Sequence, residues 1–290
     1  MKNLQKYINH LLARGTYCFL KQDALKLLDL TESQLRFQAY RLSKKGFLKR
    51  LGQDFFMIIP PEFVQLESLP PQWIIDSLMK HLEQEYYIGL LSAAAFYGAT
   101  EQQPMMFQVI TTKSHKQINF GRSALTFYNF KHCNAAAKTM LKTPAGYAQI
   151  ATREQTVVDL VRFYESAGYF SNIALVIKRL IEELDVAAFT LVIQQEETKT
   201  VLQRLGYLLE LLDASKFTEI VAQALTQQQI QYTPLRPDLK DQHGKQNSRW
   251  KLIINDAFRN DITPLLSMRS QPFDPDVAYQ LVRTELIDRL

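Results

Sequence analysis

Cysteine is nearly missing: Cys18 and Cys133 are the only two in 290 residues, both among apolar or aromatic neighbours and neither in a CxxC pair. A disulfide framework and a cysteine zinc site are therefore excluded as organising elements. The five histidines, His10, His81, His115, His132 and His243, are scattered without an HExxH pattern, so no metal is expected. The phosphate-cradling GxxxxGK[ST] pattern is absent. Its nearest approach, GLLSAAAFYG from Gly89 to Gly98, lacks the lysine, and its small residues read as a packing surface. No stretch approaches the ~18 uninterrupted apolar residues of a membrane span. The first ten positions carry charges in place of a leader's apolar core, so a soluble, cytoplasmic protein is expected. Internal repeats, low-complexity tracts, acid clusters and positioned nucleophiles are also missing, which points away from catalysis and from any cofactor.

What is present begins with charge. Residues 1–60 hold seven lysines and four arginines against three aspartates and one glutamate, a net of +7, and the remaining residues carry −2. The whole-chain net of +5 thus hides a basic module on a mildly acidic body, as expected for phosphate binding. With 47% hydrophobic residues there is material for more than one core.

Within the basic module the spacing predicts three helices and a hairpin. Leu4 to Ala13 and Lys21 to Leu28 carry apolar stripes, and Thr31 to Lys45 forms the third helix, with Thr31 as N-cap and Lys44, Lys45 and Gly46 at its end. At 100° per residue Leu35, Ala39 and Leu42 share one face, with Ser33, Phe37, Tyr40, Arg41 and Lys44 opposite. Phe47 to Leu51 and Phe55 to Ile59, joined by Gly52, Gln53 and Asp54, read as a two-stranded wing. The expectation is a winged helix-turn-helix that places its third helix on duplex DNA. Its candidate DNA-binding residues are Ser33, Gln34, Arg36, Phe37, Tyr40, Arg41, Lys44 and Lys45, with Lys49 and Arg50 from the wing. The rival is a winged helix used for protein contacts, with Phe37 and Tyr40 as anchors.

Pro60, Pro61, Pro70 and Pro71 then predict a semi-rigid linker over 61–71. Beyond it the pattern predicts helices at Trp73–Gln84 and Tyr87–Tyr97 and short strands at Met106–Thr112, Gln117–Phe120, Leu125–Tyr128 and Tyr147–Ile150. A buried helix follows from Thr152, in which Asp159 and Arg162 are expected to pair beside Arg153 and Glu154. From Ser171 the periodicity is helical: Asn172–Leu184, Val186–Glu196, Thr198–Leu212 and Phe217–Leu225. Thr233 to Ser248 reads as a long polar loop, Trp250–Ile254 as a strand, and a last helix opens near Asp274. The fold class is α+β and mostly helical. The domains expected are 1–60 (DNA-binding), 61–71 (linker) and 72–290, the last dividing near residue 170.

Four segments resemble one known family: YYIGLLSAAAFYGATEQQPMMFQVIT at 86–111, IATREQTVVDLVRFYESAG at 150–168, VLQRLGYLLELL at 201–212 and NSRWKLIIND at 247–256. In this order they resemble the AbiEi-type antitoxins of bacterial abortive-infection toxin–antitoxin systems. The resemblance implies an N-terminal domain that represses its own operon at inverted repeats in promoter DNA, with more than one copy bound. It also implies a C-terminal domain that neutralises a nucleotidyltransferase-like toxin, directly or indirectly. Two other classes compete: a winged-helix regulator whose large domain senses a ligand, and a nucleic-acid-processing enzyme.

Overall fold

The computed structural model describes residues 3–102, 104–226 and 228–256. The helix expected after Asp274 lies outside the described residues. The chain starts α1 (Leu4–Leu12), β1 (Cys18–Leu20), α2 (Lys21–Leu28), α3 (Glu32–Lys44), β2 (Leu48–Arg50) and β3 (Phe55–Ile58). β1 was not anticipated; it runs antiparallel to β3 and closes a three-stranded sheet ordered β1-β3-β2.

Strand alternation puts the two faces of this sheet in different cores. Phe19, Leu48 and Ile58 pack under the three helices with Leu4, Ile8, Ala24, Leu28, Leu35, Ala39 and Leu42. Cys18, Phe55 and Met57 face the other way and join a core that includes Leu69, Ile74, Leu78 and Met79. No break in the core therefore separates residues 1–60 from the rest. The proline-rich stretch expected as a linker forms two 3-10 turns, Pro61–Leu66 and Pro71–Trp73, each with proline at its start, where a missing amide proton costs nothing. Trp73 packs against Tyr17 at 4.9 Å, and Gly121 sits so close to the Leu66 and Glu67 carbonyls that a Cβ there would approach them to 2.5 Å.

The body continues with α4 (Ile75–His81), β4 (Tyr86–Ile88), α5 (Leu90–Phe96), β5 (Phe107–Thr111), β6 (Ile118–Phe120), β7 (Ser123–Asn129), β8 (Lys138–Thr143) and β9 (Gly146–Ala151). These strands form a six-stranded mixed sheet, ordered β6-β7-β5-β4-β9-β8. Two differences from expectation stand out: Tyr86–Ile88 is a strand leading into α5 and not its first turn, and β8 is a strand where the sequence pattern predicts no element. Helices α6 (Arg153–Arg162), α7 (Tyr169–Ile181), α8 (Val186–Gln195), α9 (Lys199–Leu211) and α10 (Ser215–Thr226) follow. α6 packs against α5, α7, α8 and α9, which explains why Glu154 through Val161 are all buried. A small sheet of β10 (Thr233–Pro234), β11 (Lys245–Asn247) and β12 (Leu252–Ile254) closes the described chain.

Candidate nucleic-acid interface

Helix α3 is fixed at its N-terminus and along one side. Thr31 Oγ1 accepts from the Gln34 amide at 3.3 Å while Gln34 Oε1 accepts from the Thr31 amide at 3.0 Å, a reciprocal capping box. Gln38 Oε1 accepts from the Leu4 amide at 2.8 Å, tying the start of α1 to the middle of α3. Lys21 Nζ pairs with Glu32 at 2.8 Å, and that hydrogen bond, then its charge, holds the Glu32 carboxyl below its ordinary range.

The opposite side of α3 is open. Phe37 is 62% and Tyr40 60% exposed, a large amount for aromatic rings on a helix with a well-formed buried face. One turn beyond each stands a cation: the Arg41 guanidinium lies over the Phe37 ring at 5.8 Å and the Lys44 ammonium over Tyr40 at 5.6 Å. Ser33, Gln34, Arg36 and Lys45 are exposed on the same helix. Among the described residues Arg36, Arg41, Lys44, Lys45 and Lys49 form no ion pair with a carboxylate, so their charges face solvent uncompensated.

The wing behaves differently at its two basic positions. Lys49 on β2 is half-buried, whereas Arg50 folds back on the turn, its Nε donating to the Gly52 carbonyl at 2.8 Å and its Nη2 to the Gln53 carbonyl. Between α3 and the hairpin lies a concavity of about 400 Å³ lined by Ser33, Arg36, Tyr40, Ser43, Arg50 and Phe56, with the Lys21–Glu32 pair at its rim. Ser33, Arg36, Tyr40 and Arg50 are thus brought together. Phe37, Arg41, Lys44 and Lys45 lie outside the concavity. Lys21, Glu32 and Phe56 were not anticipated there, because β1 sets the position of Lys21 and the sequence did not reveal that strand.

The other polar clusters are braced internally. Asp159 is fully buried and paired with Arg162 at 2.5 Å; Tyr87, on β4, and Gln155 each donate to it at 2.9 Å. Burial pushes its carboxyl up to about 6 although Arg162 opposes the shift. Arg162 also pairs with Glu196 and lies 4.0 Å over the Phe130 ring, so the pairing expected of Asp159 and Arg162 is present. The polar stretch 233–248 contains β10 and β11 in place of the continuous loop expected. Arg236 holds Asp238 and Asp256, at 2.6 and 2.9 Å, and stacks over Tyr169 at 4.1 Å. Hydrogen bonding from Arg236 keeps the Asp238 carboxyl far below its ordinary range, leaving a bound carboxylate and no free base. Among the described residues no cluster of three or more His, Cys, Asp or Glu could hold a metal, and no helix is long and apolar enough to cross a membrane.

Against known proteins, the comparison with curated proteins finds no match. Among solved structures the chain is similar to the crystal structure of RV2827C protein from Mycobacterium tuberculosis, with a TM-score of 0.61 and 13% identity over 86% of this chain and 89% of that one. At that identity the likeness establishes a shared fold. Residues 87–211 match the AbiEi antitoxin C-terminal domain, spanning the mixed sheet from β4 to β9 and helices α6 to α9. Over residues 87–211 the chain is accordingly similar to the C-terminal domain of the AbiEi antitoxins.

Proposed function

We propose that this protein is the antitoxin of a toxin–antitoxin pair, repressing its own operon through an N-terminal winged helix-turn-helix and neutralising a nucleotidyltransferase-like toxin through the body. The order helix, strand, helix, helix, hairpin in residues 4–58 fits a winged helix whose third helix, α3, enters the major groove. The observation that carries the DNA-binding half is the open face of α3. Arg36, Arg41, Lys44 and Lys45, with no carboxylate partner among the described residues, share this helix and its end with the exposed rings of Phe37 and Tyr40, on a unit of net charge +7. Such a surface suits the phosphates on either side of a groove, and a neutral or basic protein partner would leave most of those charges unsatisfied. The antitoxin half rests on the AbiEi domain match.

Promoter DNA is the partner of α3, bound at an inverted repeat by at least two copies, because one such module reads few base pairs. The experiment is titration of the fragment upstream of the gene with wild-type protein and with the Arg41→Ala, Lys44→Ala double variant. Specific binding by wild type and its loss in the variant are expected. Equal promoter binding by both would remove α3 from the interface.

A further inference from the structure

Phosphate binding accounts for the cations of α3 and leaves its most outward aromatic ring unexplained. Phe37 lies nearly opposite Leu35, Ala39 and Leu42 around the helix, so its 62% exposed ring points straight away from the core. Tyr40 differs: it turns toward the hairpin, lines the concavity, and has a hydroxyl that can donate to a phosphate. Phe37 has no polar atom. It sits in the second turn of a 13-residue helix, in the half that reaches base edges when such a helix lies in a major groove. The Arg41 guanidinium, 5.8 Å from the ring centre, restricts where the ring can swing while keeping its own charge at the surface.

In the major groove of B-DNA the apolar group on a base edge is the C5-methyl of thymine, the other groups there being hydrogen-bond donors and acceptors that a phenyl ring cannot satisfy. We infer that Phe37 is a specificity-determining residue whose ring packs against a thymine 5-methyl group in the operator. This rests on the DNA-binding reading of α3 proposed above. The cations around the ring set affinity, and Phe37 selects where a thymine must stand.

The test uses the full chain and the DNA fragment upstream of its gene, amplified once with thymidine and once with deoxyuridine triphosphate. The exchange deletes every thymine methyl and leaves base pairing intact. Wild-type protein should bind the uracil fragment about fourfold more weakly per methyl contacted, the loss expected for one buried carbon. Phe37→Ala should bind both fragments alike, near the affinity of wild type for the uracil fragment, and Phe37→Leu should keep part of the preference. The ring is exposed, so both variants should keep the wild-type circular dichroism spectrum and melting temperature. Equal wild-type binding to the two fragments overturns the inference, as does a Phe37→Ala variant that keeps the whole uracil penalty. Failure of a different kind is separable: wild type binding the thymine fragment no better than unrelated DNA of equal length would overturn the DNA-binding reading itself.

Discussion

The Tyr87 hydroxyl on β4 donates to Oδ2 of the fully buried Asp159 on α6 at 2.9 Å, joining the central sheet to the central helix. Oδ1 of the same carboxyl takes Gln155 and Arg162, and among the described residues Tyr87 is the hydrogen-bond donor to Oδ2. Tyr87→Phe keeps the ring in place and strands that oxygen away from water. The expected cost is about 1–3 kcal/mol of unfolding free energy, the penalty of an unsatisfied buried acceptor. Urea titration of wild type and variant measures it, and an unchanged midpoint would mean that water or the unpartnered Arg162 Nε takes the place of the hydroxyl.

Asp159 also gives a pH dependence whose sign can be worked out. Its folded-state carboxyl titrates near 6, raised by burial above the ordinary carboxylate range, so the folded protein binds that proton more tightly than the unfolded chain does. The resulting stabilisation is full below about pH 4, where both states are protonated. It is lost as pH rises through 6. Asp159→Asn removes the titration, so the stability of wild type relative to that variant should fall between pH 4 and 6 and flatten above. Thermal melts at half-unit steps across that window decide the matter; a relative stability that rises instead contradicts the assignment.

Much of this architecture was legible because local signals agreed with the fold. Thr31 and Gln34 announced the start of α3, and the spacing of Leu35, Ala39 and Leu42 announced its buried face. The elements that escaped notice lacked such agreement. β1 is three residues long and passes directly into α2 without a turn residue, and its strand character comes from pairing with β3, some forty positions on. β8 mixes exposed Thr139, Met140 and Lys142 with half-buried residues at a sheet edge and lacks a strict period of two, a pattern a polar loop shares. Tyr86 to Ile88 is buried on both faces, so its apolar run has no period to separate it from the helix that follows. The prolines of 61–71 read as a semi-rigid linker, and only the second buried face of the β1-β3-β2 sheet reveals the packing across it. At the candidate site, residue types named the face of α3 correctly as exposed, whereas the folding of Arg50 onto its own turn depends on hairpin geometry that composition does not encode.

Gly206 on α9 meets the ring of Trp250, where an added Cβ would fall 2.1 Å from a ring carbon. Trp250 is 1% exposed, and its indole N–H donates to Glu210 one turn along the same helix. Gly206→Ala should expel the indole and cost about 1–3 kcal/mol, the usual range for overpacking. A red shift in tryptophan emission together with a lower urea midpoint is the expected readout. Trp73 emits as well, so the Trp73→Phe background isolates the signal. An unshifted spectrum there would mean the backbone yields instead.

The two basic residues of β2 should respond differently to substitution. Lys49 carries no ion pair among the described residues, so Lys49→Ala should lower the slope of log affinity against log salt by about 0.9, one phosphate's worth. Arg50 spends its Nε and Nη2 on the Gly52 and Gln53 carbonyls. Arg50→Lys keeps the charge but cannot reproduce that fork, so it should weaken promoter binding nearly as much as Arg50→Ala. Anisotropy titrations at several salt concentrations separate the two behaviours. Full affinity in Arg50→Lys would show that charge alone matters at this position.

The last prediction concerns whether repression and neutralisation separate, and the packing dictates how to ask. Cutting the chain between residues 60 and 72 would expose Cys18, Phe55 and Met57, which lie in one core with Leu69, Ile74 and Leu78. Loss of function in either fragment would then report misfolding as readily as a missing partner. Point changes on the open face of α3 avoid this, since Arg41 and Lys44 are exposed and lie clear of both cores. Full-length Arg41→Ala, Lys44→Ala protein should therefore lose repression of a promoter reporter while keeping wild-type stability. It should still protect cells coexpressing the neighbouring toxin, because the matched antitoxin domain at 87–211 is untouched. Reporter activity and growth are scored in the same strains, with protein levels checked by blot. Should a stable, normally abundant variant lose protection along with repression, neutralisation would have to run through the DNA-bound protein, and the two activities would not be separable.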